Sequence, residues 1–253
     1  MKRYITILTL CFFLTEVAWG VSVSVTDLRT EQLTNPLGID TTLPRLSWRI
    51  TGNGRGIRQT SYHIQVASTP EKLYSDQADI WDSGEVNSSQ SVWIAYAGAD
   101  LRPTQRYYWR VKITTNHGSS AWSETAFWGM GPMGEIRWKG RWIGLDRAMP
   151  WDEESQYSRL SARYLRKEFP IGKEILRATV HICGLGLYEM YLNGQRVGDL
   201  VLTPAPTNYQ RTQLYNSYDV TDLLRTGENT AVGIILGNGR YYTMRLPSGR
   251  STG

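Results

Sequence analysis

From Val21 onward, apolar residues recur at every second position and are broken at short intervals by Gly, Pro, Asn or Asp. A period of two places one side of a β-strand against a core. Leu46, Trp48 and Ile50 alternate with polar neighbours, and Tyr62, Ile64 and Val66 alternate with His63, Gln65 and Ala67. Asp79–Gly84 predicts a strand ending in a turn. Tyr107, Trp109, Val111 and Ile113 share one face of another strand. Asn116–Ser120 predicts a turn and Ala121–Trp128 a closing strand. No apolar period of 3.6 residues is long enough for a sizeable helix before Pro132.

The Gly129–Gly134 stretch, rich in Gly and Pro, is the predicted domain boundary. Beyond it, Ala178, Val180 and Ile182 alternate with Thr179, His181 and Cys183, and Leu187–Leu192 runs into Asn193-Gly194. An Asn-Gly pair between alternating runs predicts a hairpin, since both central residues of a type I′ turn need positive φ. Its return strand is expected to begin at Val197. Tyr218–Leu224 offers Asp or Thr caps for a short helical turn. Thr230–Leu236 predicts a strand buried on both sides. The chain stops soon after, so the second unit is read as truncated. The expected fold class is all-β, two β-sandwich domains with the second incomplete; the closing hairpin of the first resembles that of fibronectin type III-like domains, and Tyr218–Leu224 of the second resembles jelly-roll or galactose-binding-like domains. Leu101, Pro103 and Tyr107 have the spacing of a tyrosine corner, in which the phenol bonds back to the upstream backbone.

Lys2 and Arg3, the apolar run Tyr4–Leu14 and the small residues Ala18 and Gly20 form the pattern of a secretory signal peptide. The expected division is 1–20 signal peptide, 21–132 first sandwich and 133–253 second sandwich, with a periplasmic or extracellular destination. Thr15 and Glu16 end the apolar run too early for a membrane span, which needs about 20 residues. Removing residues 1–20 lowers the formal charge from +5 to +4 and leaves Cys183 without an intrachain disulfide partner. Stability is then expected to come from core burial. Lys and Arg are spread without a block of like charge, which argues against a nucleic-acid partner. The 10 Trp and 15 Tyr outnumber the 4 Phe, a bias that suits sugar-stacking faces as well as cores.

Trp138–Gly144, Gly184–Glu189, Leu192-Asn193-Gly194, Val197-Gly198-Asp199, Leu202-Thr203-Pro204, Tyr218–Leu224 and Leu236–Tyr242 together resemble the N-terminal accessory sandwich of bacterial α-L-rhamnosidases. The Pro44–Trp48 and Asp79–Gly84 segments, with their sandwich, resemble the fibronectin-like domain that precedes it. The resemblance implies a glycosidase that inverts at terminal α-L-rhamnose, using an (α/α)6 barrel to which no segment here corresponds. The chain is therefore expected to be the non-catalytic N-terminal segment of a secreted enzyme, with rhamnose-containing glycans or glycosides and the missing catalytic region as partners. An independent rhamnose-binding module and a secreted structural or adhesion protein are the alternatives.

No catalytic residue is assigned. Asp152-Glu153-Glu154 read as a solvated loop, because adjacent carboxylates cannot flank opposite faces of a sugar. His63, His117 and His181 share no metal-ligand spacing. Gly184-Leu185-Gly186 and Gly237-Asn238-Gly239 lack the third glycine and long helix of a dinucleotide loop. Asn193, Asp199, Asn238 and Tyr241, at turns of the second unit, are the candidate carbohydrate-binding residues. The resemblance adds Ca²⁺ as an ion for vicinal sugar hydroxyls, without assigned ligands.

Overall fold

The structure is a computed structural model that describes residues 21–133, 138–145 and 162–237. The expected signal peptide, Asp152–Glu154, Asn238 and Tyr241 lie outside the described residues.

Two antiparallel sheets form the first sandwich. One joins β1 (Val23–Thr30), β2 (Arg45–Gly52) and β5 (Ile94–Ala95), with β2 in the middle. The other orders β4 (Trp81–Val86), β3 (Gln59–Ala67) and β6 (Arg106–Thr115), and β7 (Gly118–Ser119) and β8 (Ala126–Gly129) both pair with β6. Leu46 and Trp48 of β2 meet Ile64 and Val66 of β3, Trp109, Val111 and Ile113 of β6, and Trp128 of β8 in one buried cluster. These are the alternating positions of the sequence, and their burial is the principal stabilising term. The only helix described in the first sandwich, α1 (Pro70–Tyr74), buries Leu73.

Tyr107 closes the predicted corner: it is 4% exposed, and its hydroxyl accepts the Arg102 backbone N–H at 2.7 Å. Three expectations need correction. β3 is covered on both faces, because Gln65 on the outer side accepts from Arg110 at 2.7 Å and donates to Asp76 and Asp82. The Asp79–Gly84 segment does not end at its glycine. Gly84, at φ +59, sits inside β4 where the pairing with β3 slips between His63 and Gln65, and the Ser83 hydroxyl accepts the Ile64 N–H at 2.8 Å. The closing strand begins at Ala126 rather than Ala121. Before it, Ser120 and Ser123 hydroxyls accept the N–H groups of Ile113 and Val111, so side chains substitute for ladder carbonyls there.

In the second sandwich a sheet ordered β12 (Gln195–Arg196), β11 (Leu187–Leu192), β14 (Asn229–Gly237) and β9 (Arg163–Pro170) faces the pair β10 (Thr179–Cys183) and β13 (Tyr215–Asp219). Tyr188, Met190 and Leu192 of β11 form the buried centre with Val197 and Val220, and Val180, Ile182, Val232 and Ile234 pack against it. Asn193 and Gly194 have φ of +50° and +81°, as a two-residue type I′ loop requires. The return strand therefore begins at Gln195, two residues before Val197. β14 is flanked by strands on both edges, yet Ala231–Leu236 are only half-buried, because a single face meets the core cluster among the described residues. A 3₁₀ turn, Thr221–Leu223, follows β13, and the Asp219 carboxylate accepts the Thr221 N–H at its entry.

Candidate functional site

Asn193 stands at the tip of the β11–β12 hairpin, where its backbone N–H donates to the Ala231 carbonyl at 2.8 Å. Its side chain is engaged at both ends, donating to the Leu223 carbonyl at 3.0 Å and accepting the Ala231 N–H at 2.9 Å. The amide thus ties hairpin, 3₁₀ turn and β14 together. Asp199 lies exposed in the loop after β12, beside Gly198, whose φ is +74°.

Asn193 lines a cleft of about 420 Å³ with Gln195, Asp222, Leu223, Arg225 and Glu228. Arg225 and Glu228 face each other at 3.8 Å, three residues apart. Asp199 is not part of its wall. Of the two sequence-selected residues that are described, the structure therefore brings Asn193 to this cleft and leaves Asp199 outside it. Gln195, Asp222, Arg225 and Glu228 were missed; the signal for Gln195, Arg225 and Glu228 was position at or near the turns Asn193-Gly194 and Gly227-Glu228, and that for Asp222 was its place in the Tyr218–Leu224 turn.

A second cleft, about 620 Å³, opens where the two sandwiches meet, with Arg106 and Tyr108 of β6 on one side and Arg177, Asp219, Thr221 and Asp222 on the other. Arg106 donates to Asp219 at 2.7 Å and its guanidinium lies 4.5 Å from the centre of the Phe127 ring, which also neighbours Tyr108. Burial raises the Asp219 pKa, but the Thr221 hydroxyl at 2.6 Å and the Arg106 guanidinium outweigh it and hold the carboxyl below its usual range. The contact continues at Tyr215, whose hydroxyl donates to the Gly38 carbonyl at 3.1 Å. Burial first, then the neighbouring Asp40 carboxylate, raises the Tyr215 pKa. A Cβ on Gly131 would stand 1.9 Å from the Tyr215 hydroxyl oxygen, so only glycine admits this approach. His181 binds Ser217 at 2.7 Å, and burial lowers its pKa.

Every described carboxyl whose pKa departs from its ordinary value departs downward: Glu31, Glu71, Asp79, Asp82 and Asp219. In each, hydrogen bonds to the ionised form are what lower the value. Among the described residues no three His, Cys, Asp or Glu side chains are grouped to hold a metal ion, and no helix is long and apolar enough to cross a membrane. Cys183 is a half-buried free thiol whose pKa is raised by burial.

Comparison with known proteins finds two family models in series. The model described as "Rha78A-like, N-terminal immunoglobulin domain" matches residues 25–134, and that described as "Alpha-L-rhamnosidase N-terminal domain" matches residues 173–252. An alpha-L-rhamnosidase of Formosa agariphila is 41% identical over 222 residues, which are 82% of this chain and 23% of the relative. One from Alteromonas sp. (strain LOR) is 35% identical over 88% of this chain and 24% of its own length. Among solved structures, the alpha-L-rhamnosidase from Dictyoglumus thermophilum superposes with a TM-score of 0.77 at 39% identity, covering 87% of this chain and 25% of that one. The chain spans about a quarter of the length of the relatives it matches.

Proposed function

Because the chain belongs to the α-L-rhamnosidase family, carrying the two domains of that family's N-terminal region in their order, we propose that it acts as the non-catalytic N-terminal segment of a secreted enzyme releasing terminal α-L-rhamnose. Its role is to support a helical catalytic barrel and to contact carbohydrate. Residues 1–20 serve as a cleaved signal peptide, residues 21–132 as the first sandwich and residues 133–253 as the accessory sandwich.

The observation that carries this reading is the serial match of both N-terminal domain models in a chain that spans about a quarter of the length of the rhamnosidases it matches. The sandwiches also meet through Arg106–Asp219 and Tyr215–Gly38, contacts that a scaffold role would use to position a neighbouring domain.

Two experiments test it. The purified chain is expected to leave an aryl α-L-rhamnoside intact; hydrolysis that survives repurification and disappears on a point substitution within this chain overturns the non-catalytic role. Replacing the aligned quarter of the Formosa agariphila relative with this chain is expected to give a folded, active rhamnosidase. A chimera whose parts are folded but inactive overturns the scaffold role.

A further inference from the structure

The two clefts described above share a wall. Asp222 lines both, at the centre of the 3₁₀ turn whose flanking residues Thr221 and Leu223 face the interdomain cleft and the hairpin cleft respectively. Resting on the reading that this segment contacts carbohydrate, we propose that the clefts act as one groove, running from Tyr108 on the first sandwich past Asp222 to Gln195 on the second, and that its ligand is a neutral oligosaccharide chain rather than a single sugar.

The chemistry along the groove selects that class. Arg106 and Asp219 neutralise each other, as do Arg225 and Glu228, and the remaining Arg177 and Asp222 carry opposite charges. A sulfated or phosphorylated chain would meet no cationic cluster, and a basic peptide no anionic one. The walls carry hydroxyl, amide, carboxylate and guanidinium groups, which match the mixed donor and acceptor character of sugar hydroxyls. Tyr108 supplies a ring for the apolar face of a sugar, and its neighbour Phe127, beneath the Arg106 guanidinium, limits its movement.

Each cleft taken alone is open and bears few anchoring groups, so a monosaccharide gains little by entering either one. A chain that crosses Asp222 meets both sets of groups within one molecule, and the second set binds at the high effective concentration of an intramolecular contact. Asp222 is therefore the residue on which length dependence turns. Its side chain is exposed and makes no hydrogen bond or ion pair among the described residues, so its removal is expected to cost the fold little.

The test is calorimetric titration of the full chain with neutral rhamno-oligosaccharides, from the monosaccharide to the hexasaccharide, and with a sulfated hexasaccharide. Affinity is expected to rise about tenfold or more from monosaccharide to tetrasaccharide. Asp222→Ala is expected to weaken hexasaccharide binding about fivefold or more while its urea midpoint stays in place, and Tyr108→Leu, which keeps an apolar side chain against Phe127 but removes the stacking ring, is expected to weaken it similarly in a variant that remains folded. Equal affinity at all lengths, tighter binding of the sulfated chain, or a hexasaccharide affinity untouched by Asp222→Ala overturns the groove. A natively folded chain that binds none of the series also overturns it, whereas the accessory-segment reading stands or falls on the chimera.

Discussion

Tyr107→Phe isolates one hydrogen bond without changing the shape of the core. The ring stays, with its 5.5 Å approach to Trp128, and only the hydroxyl that accepts the Arg102 N–H at 2.7 Å is removed. A net hydrogen bond contributes about 1 kcal/mol, and stranding a buried partner raises the loss to about 3 kcal/mol. Arg102 itself is exposed, so water can reach part of the freed N–H, and the expected loss is about 1–1.5 kcal/mol. For a domain of this size that corresponds to a fall in Tm of about 3–6 °C. Urea unfolding followed by tryptophan fluorescence suits the measurement, since Trp109 and Trp128 are both fully buried in the first core. Tyr108→Phe serves as control: the Tyr108 hydroxyl makes no hydrogen bond among the described residues, so its midpoint should move by less than about 0.5 kcal/mol equivalent. A Tyr107→Phe curve that overlays the parent, or a Tyr108→Phe curve that falls equally, would refute the corner as a source of stability.

Asp79 offers a pH test. Burial raises its pKa, but Lys72 at 2.5 Å and the Ser68 N–H and hydroxyl bring it down to about 2, below its unfolded value of 3.8. The stabilisation is thus complete above about pH 4 and fades as pH falls through 2; with the side chain about a third exposed it amounts to about 1 kcal/mol. Asp79→Asn should lower the urea midpoint at pH 6 and lose most of that difference at pH 2. For the meeting of the sandwiches, a double-mutant cycle on Arg106→Ala and Asp219→Ala should give a coupling of about 1 kcal/mol, screened by salt, and an additive cycle would remove this pair as an interdomain tie. Asn193→Ala should cost about 1–2 kcal/mol in the second sandwich through its positive φ and two lost hydrogen bonds, and Asn193→Gly should recover the backbone part alone; equal losses in both variants would show that the conformation is not strained.

Much of the first sandwich was legible in the sequence. The buried set Leu46, Trp48, Ile64, Val66, Trp109, Val111 and Ile113 is the alternation itself, and Tyr107 finds its partner five residues upstream. The places where the reading failed are those where a polar side chain does backbone work. Ser83 fills a ladder position at the β4 bulge, and Ser120 and Ser123 stand in for carbonyls beside β6. A serine in a strand-like run carries no mark of that role until a partner strand lies beside it. Among the described residues that line the candidate site, the sequence pointed to Asn193, whose amide proved to be committed to holding β14 and the 3₁₀ turn. Asp222 and Gln195 looked like ordinary surface residues.

By itself the sequence determined what depends on short-range geometry: the strand period, the positive φ at Asn193-Gly194, the corner at Tyr107 and the serial order of two β units. Each follows from the alternation of side chains across a strand or from the dihedral limits of a few consecutive residues, which any local window contains. Only the tertiary structure decided that Arg106 reaches Asp219 across 113 residues of chain, that Gly131 leaves room for the Tyr215 hydroxyl, that Gln65 is buried on an outer face, and that one turn residue, Asp222, borders two clefts. Those contacts depend on where whole sheets come to rest. That position is set by the burial of both cores and by hydrogen bonds that close only once the sheets are in place, and it leaves no periodic trace in the residues that make the contact.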